Sequence, residues 1–153
     1  MSKHFETLNH AVSLPYKFST GPVLHRFLEG LKEGRILANT CPECNNVLIP
    51  ARTFCPKCYV DMDNWVELSG EGKIVTWALA CQSFYGMPMD CPFIGALIRL
   101  DGTNCDFLHI IGGFAMGNME EIDKKINKDI RVKAVWKEKR EGSLLDIKYF
   151  KPI

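Results

Sequence analysis

Four cysteines in two pairs carry the most definite chemistry in the chain. Cys41-Pro-Glu-Cys44 and Cys55-Pro-Lys-Cys58 each place two residues between their thiols, and the ten residues 45–54 separate the pairs. Pairs at this spacing bring four thiolates to one tetrahedral centre, a donor set that zinc accepts. Sulfur then fills every position, so no place remains for water or substrate. The spacing predicts a structural metal site at Cys41, Cys44, Cys55 and Cys58, zinc in preference to rubredoxin-type iron, which the same ligands bind. Its binding energy replaces a core that residues 35–63 are too few to build. Pro42 and Pro56 stiffen the two knuckles. Asn45, after the first pair, tolerates a left-handed backbone. Tyr59, after the second, does so less easily, so the second knuckle is expected to differ.

Other chemistry is thinly represented. The 153 residues contain no G-x-S-x-G elbow, no Walker-type phosphate loop and no H-E-x-x-H helix. Of the seven cysteines, Cys81, Cys91 and Cys105 share no motif spacing and read as small buried hydrophobes or loop thiols. His109 sits between Leu108 and Ile110 in an expected strand, where a hydrogen-bonded structural role is expected. Asp106 belongs to the opposite face of that strand. Cys105 shares the face but lies four residues away. No catalytic constellation emerges, and an enzyme would need Cys91 or Cys105 as a lone nucleophile. Gly112, Gly113 and Gly117 precede a helix, where amides can meet phosphate, but their spacing fits no fingerprint and a plain connection explains them equally. Arg131, Lys133, Lys137, Lys139 and Arg140 read as a solvated face with Glu138 and Glu141 among them.

The elements that must position these residues follow from periodicity. Leu24, Phe27, Leu28 and Leu31 recur at helical spacing over 22–33, with Gly21 as cap, Pro22 at the first helical position and Gly34 as the stop. Residues 35–40 form a short strand ahead of the cysteines. Residues 65–80 read as one long bent strand interrupted at Gly70 and Gly72. Strands over 93–100 and 105–111 flank an Asp101-Gly102 turn, a helix spans about 118–127, and strands over 130–137 and 145–149 close the chain. Strand, strand, strand, helix, strand, strand is the order of an OB-fold, a five-stranded Greek-key barrel; the alternative is a small sandwich with an incidental helix. The fold class is therefore mainly β, in three parts: residues 1–34, an N-terminal extension and helix; 35–63, a zinc ribbon; and 64–153, the OB-fold barrel.

Composition narrows the function classes. Apolar residues make up 46% and charged residues 24%, which is globular. Nineteen basic against 18 acidic side chains give a formal net charge of +1. Residues 35–63 are balanced, and a zinc dication on four thiolates adds about −2 there. Residues 70–153 carry 12 basic and 11 acidic side chains. A nucleic-acid-binding module wants a concentrated positive surface, so this arithmetic opposes it. No apolar run reaches the ~18 residues of a membrane span, and residues 1–20 lack the apolar core of a signal peptide. A cytoplasmic location is expected.

The helix Phe27-Leu28-Glu29-Gly30-Leu31-Lys32-Glu33-Gly34-Arg35-Ile36-Leu37 runs into the CPEC…CPKC ribbon. Trp65-Val66-Glu67-Leu68-Ser69-Gly70-Glu71-Gly72-Lys73-Ile74-Val75-Thr76-Trp77 then leads into the barrel strands. This arrangement, over about residues 22–153, resembles the "domain of unknown function thirty-five" family, which joins a rubredoxin-like zinc ribbon to an OB-fold. The stretch Tyr16-x-Phe18-Ser19-Thr20-Gly21 resembles its archaeal-type members. The resemblance implies a non-catalytic accessory or scaffold subunit in acyl-CoA and lipid metabolism. Its implied partners are acyl-CoA and a thiolase-fold enzyme of acetoacetyl-CoA thiolase or hydroxymethylglutaryl-CoA synthase type, which would supply the catalytic cysteine. Cys41, Cys44, Cys55 and Cys58 match the family's metal ligands. An OB-fold binds along its second and third strands and the flanking loops, here 82–92 and 138–143. The first loop is apolar and aromatic, which suits a partner surface or a pantetheine arm. Candidate ligand or partner contacts are Arg52, Lys73, Trp77, Phe84, Tyr85 and Met87.

Overall fold

The computed structural model describes residues 14–83, 89–115, 119–127 and 129–153. Helix α1 (Gly21–Glu33) begins one residue earlier than expected. Thr20 is its cap, and Gly21 is its first residue rather than the cap. Gly34 ends it with φ 81: the Gly34 amide reaches Leu31 O at 3.0 Å and the Arg35 amide reaches Gly30 O at 2.8 Å. That left-handed stop satisfies carbonyls the helix would leave unpaired. Phe27 and Leu31 are fully buried. A Cβ on Gly30 would lie 2.8 Å from the Leu37 side chain, so the helix can approach the next strand this closely only with glycine there.

That strand, β1 (Ile36–Thr40), is central in a three-stranded antiparallel sheet between β2 (Val47–Leu48) and β3 (Asn64–Leu68). Ile36 pairs with Leu68 and Thr40 with Asn64. The expectation of one bent strand over 65–80 is corrected. Its first half completes the ribbon sheet, and the chain turns at Gly70 (φ 77) into β4 (Glu71–Ala80) of a separate sheet. A left-handed residue between the halves sends them to different partners.

β4, β5 (Phe93–Leu100), β6 (Phe107–Ile111), β7 (Arg131–Trp136) and β8 (Ile147–Pro152) close into a barrel in the order β4-β5-β6-β8-β7. β6 and β8 are parallel, the other pairs antiparallel, and helix α2 (Met119–Ile126) lies between β6 and β7. This is the OB-fold, and the sandwich alternative falls away. Two strand starts move. β6 begins at Phe107, because Asn104 and Cys105 are engaged elsewhere. β8 begins at Ile147, because Leu144–Asp146 form a 3-10 turn. Asp146, inside the strand expected over 145–149, is 3% exposed. Burial alone would raise its pKa, but the amides of Ser143, Glu141 and Gly142 outweigh that and hold it below the ordinary carboxylate value. The glycines at 112 and 113 serve packing: a Cβ at either would meet Tyr149 or Lys151 at 2.8–2.9 Å.

The ribbon and barrel share one core. Ile36, Ala38 and Ile49 of the ribbon pack in the same cluster as Ile74, Ile98 and Phe150 of the barrel. The outer edge of β2 is also taken. Asn104 donates its amide to Val47 O at 3.0 Å and accepts the Val47 amide at 2.9 Å, and the Ile49 amide reaches Cys105 Sγ at 3.2 Å. The loop between β5 and β6 thus continues the ribbon sheet.

Candidate metal centre

The sulfur atoms of Cys41, Cys44, Cys55 and Cys58 all lie within 4.8 Å of one another, and Cys44 Sγ and Cys55 Sγ are 3.7 Å apart. A tetrahedral site with metal–sulfur bonds of ~2.3 Å needs sulfurs ~3.8 Å apart, so the four thiols fit a zinc-sized ion. Among the described residues this is the one group of three or more such side chains close enough to share a metal.

Two superimposable knuckles build it. The Asn45 amide bonds Cys41 O at 3.0 Å, and the Tyr59 amide bonds Cys55 O at 2.8 Å. The Cys41 and Cys55 amides close each loop on Asn46 O and Val60 O, both at 2.9 Å. Asn45 has φ 56 and Tyr59 φ 61. The expected difference between the knuckles is therefore overturned: the closing bonds impose one geometry, and Tyr59 adopts the left-handed backbone despite its Cβ, its ring 80% exposed.

Electrostatics show what the centre requires. The amide of Cys58 holds the Cys55 thiol down to about 7, while the neighbouring Cys44 thiol pushes Cys58 up to about 12. Four sulfurs this close cannot all ionise without a cation among them, and a dication removes the conflict. With every ligand position filled by the chain, the centre is structural. Behind it, Asn39 was not singled out from sequence. Its fully buried amide donates to Arg52 O at 2.6 Å and Met62 O at 2.9 Å and accepts the Arg52 amide at 3.2 Å. A strand asparagine carries no sequence signal for such a role.

The other predicted positions separate. Arg52 lies where two grooves meet, one of about 610 Å³ and one of about 240 Å³, and its guanidinium has no partner among the described residues. Lys73 pairs with Asp129 at 3.0 Å. Trp77 packs half-buried against the barrel core. Phe84, Tyr85 and Met87 lie outside the described residues. The loop at 138–143 is tied down: Arg140 donates to Lys32 O and Lys137 O, each at 2.9 Å. Cys105 is not on the strand face of His109 but in the loop before β6, half-buried against the ribbon. His109 is 7% exposed, with Nε2 3.0 Å from Leu144 O and its ring between Phe107 and Phe150. Arg131 clasps Asp101 with two bonds of 2.7 Å and also meets Glu71, which Lys133 reaches at 3.0 Å.

A four-thiol ribbon fused through a shared core to an OB barrel defines a class of protein, and the comparisons agree with it. Residues 28–63 match the rubredoxin-like zinc ribbon domain of ChsH2, and residues 65–137 match the ChsH2 C-terminal OB-fold domain. The two matches take in most of the chain, which belongs to the family they describe. A DUF35 domain-containing scaffold protein of Methanocaldococcus jannaschii is 31% identical over 62 residues, 40% of this chain. The match spans 44% of that relative, less than half its length. Two solved structures share the fold at TM-score 0.62. One is a DUF35-family protein of unknown function from Sulfolobus solfataricus (21% identity, 87% of each chain). The other is the Ltp2–ChsH2(DUF35) aldolase (23% identity, 83% of this chain and 91% of that one). No helix among the described residues is long and apolar enough to cross a membrane.

Proposed function

We propose that this chain is a non-catalytic, cytoplasmic accessory subunit that binds acyl-CoA, a thiolase-fold enzyme of acetoacetyl-CoA thiolase or hydroxymethylglutaryl-CoA synthase type, or both, and that its structural metal is zinc. The observation that carries the reading is the closed thiol centre set in a family whose curated relative is a scaffold protein. A centre with no open position gives the metal a folding role. The aldolase among the similar structures is a complex with a second protein, which supports a partnered role here. Four of the barrel's cations support this reading over nucleic-acid binding: Lys73, Arg99, Arg131 and Lys133 are each paired with carboxylates. Phosphate backbones need cations free to replace counterions.

The test is a tagged pull-down from extract of the source organism, with bound proteins identified by mass spectrometry and acyl-CoA binding followed by calorimetry. Recovery of a thiolase-fold enzyme is expected. Recovery of nucleic acid or ribosomal proteins without any acyl-CoA enzyme would sink the reading. A colourless protein containing one zinc per chain is expected; a red one would place iron in the site.

A further inference from the structure

The outer face of β5 and β6 breaks the rule that a barrel strand is apolar inside and polar outside. Ile94, Ala96, Ile98 and Leu100 point inward, so Phe93, Gly95, Leu97 and Arg99 point outward. On β6, Phe107, His109 and Ile111 point inward and Leu108 and Ile110 outward. Cross-strand pairing sets Leu97 against Leu108 and Gly95 against Ile110. The polar side chain of β6 is therefore inside, and its outward side chains are apolar. The outward charge on β5, Arg99, is neutralised by Asp106. A Cβ on Gly95 would meet no atom within 4 Å, and Leu108 is 68% exposed. Strands with this pattern are built for burial on both sides.

The face runs into the 610 Å³ groove between barrel and ribbon. Its lining takes Leu108 and Leu144 from the barrel and Ile49, Pro50 and Pro56 from the ribbon, with the Asp106 carboxylate that pairs with Arg99 also present. The groove also borders Arg52, whose guanidinium has no partner among the described residues and whose backbone Asn39 holds fixed. We infer that this face and groove form one docking surface for a different protein, one that inserts a convex apolar element with a carboxylate placed to meet Arg52. Three features select that occupant. A second copy in a two-fold contact would set groove against groove and leave a void, losing the contacts that packing supplies. A polynucleotide needs several cations along its backbone and aromatic platforms for its bases, and this groove offers one guanidinium beside Leu, Ile and Pro side chains. A guanidinium with no partner among the described residues, set beside apolar surface, can grip with two bonds a carboxylate carried on an apolar segment.

The inference rests on the accessory-subunit reading for the partner's identity, but the surface is tested separately. The full chain, with p-benzoylphenylalanine in place of Leu108 or, as control, of the exposed Lys139, is irradiated in extract of the source organism, and crosslinked peptides are sequenced. Metal content and circular dichroism equal to the unaltered protein verify folding. The expected result is an adduct from position 108 at least tenfold above that from 139. It should fall on an apolar segment of another protein with Asp or Glu within a few residues, and Arg52→Glu should reduce it at least fivefold. If that protein is a thiolase-fold enzyme, both readings stand. If it is any other protein with such a segment, the surface stands and the function reading falls. Adducts to a second copy, to the chain itself or to nucleic acid, an adduct insensitive to Arg52→Glu, or none above the Lys139 level would overturn the inference.

Discussion

Tyr59 carries backbone strain with no packing in return, since φ is 61 and the ring is 80% exposed. Glycine adopts that conformation freely but loses more chain entropy on folding, so Tyr59→Gly should stabilise the metal-loaded protein by about 0.5–1 kcal/mol. Urea denaturation reads the change, and a lowered midpoint would show that the ring contributes something the knuckle needs. Asn39 is the opposite case. Asn39→Ala strands two carbonyls and an amide beside the metal centre, and a loss of about 2–3 kcal/mol is expected in the same assay. His109 sets a pH dependence. Burial lowers its pKa and outweighs its hydrogen bond to Leu144, so the folded state binds this proton less readily than the unfolded chain. Stability from this group is complete above about pH 6.5, the unfolded value, and is lost as pH falls toward the depressed folded value. Thermal melts between pH 7.5 and 5.5 should show the decline, and His109→Leu should make it shallower, leaving the part that comes from metal release.

Among the elements, what was legible in the sequence was whatever local pattern dictates. The cysteine spacing picked out the four thiols that converge on one centre, and α1 and its glycine stop were readable from periodicity. The order of strands and helix along the barrel part of the chain followed from alternation and turn residues. What escaped was set by long-range pairing. A run from Trp65 to Ala80 shows nothing of the fact that β3 pairs with β1 while β4 pairs with β5. Alternation over 145–149 could not reveal that Asp146 turns inward to collect three amides. Cys105 looked like the start of a strand, yet it and Asn104 bond the ribbon from 56 or more residues away. The knuckles also make a prediction at this scale. Metal binding requires thiolates, so acid must compete with it. Zinc release, followed with a colorimetric chelator, should accelerate as pH is lowered from 7.5, and retention unchanged at pH 5 would contradict a four-thiolate centre.

At the scale of the whole molecule, the shared core joins ribbon to barrel, and the cysteines pack in a smaller cluster of the same ribbon, so all three are expected to unfold as one cooperative unit. Chelation should therefore not leave an intact barrel beside a melted ribbon. Calorimetry should show one transition before and after chelation, lowered by about 10 °C or more when the metal is removed. Two separate transitions would mean that Ile36, Ala38 and Ile49 contribute little to the barrel. The same continuity bears on ancestry. The boundary between the two matched domains falls beside Asn64, the first residue of β3. A recombination event at that point would take from β1 its five-residue neighbour and from β2 the loop that seals its edge. Neither fragment could be exchanged for a foreign one without rebuilding the seam. The seam therefore leads us to expect that ribbon and barrel are inherited as a pair and that lineages that lose one half lose the other.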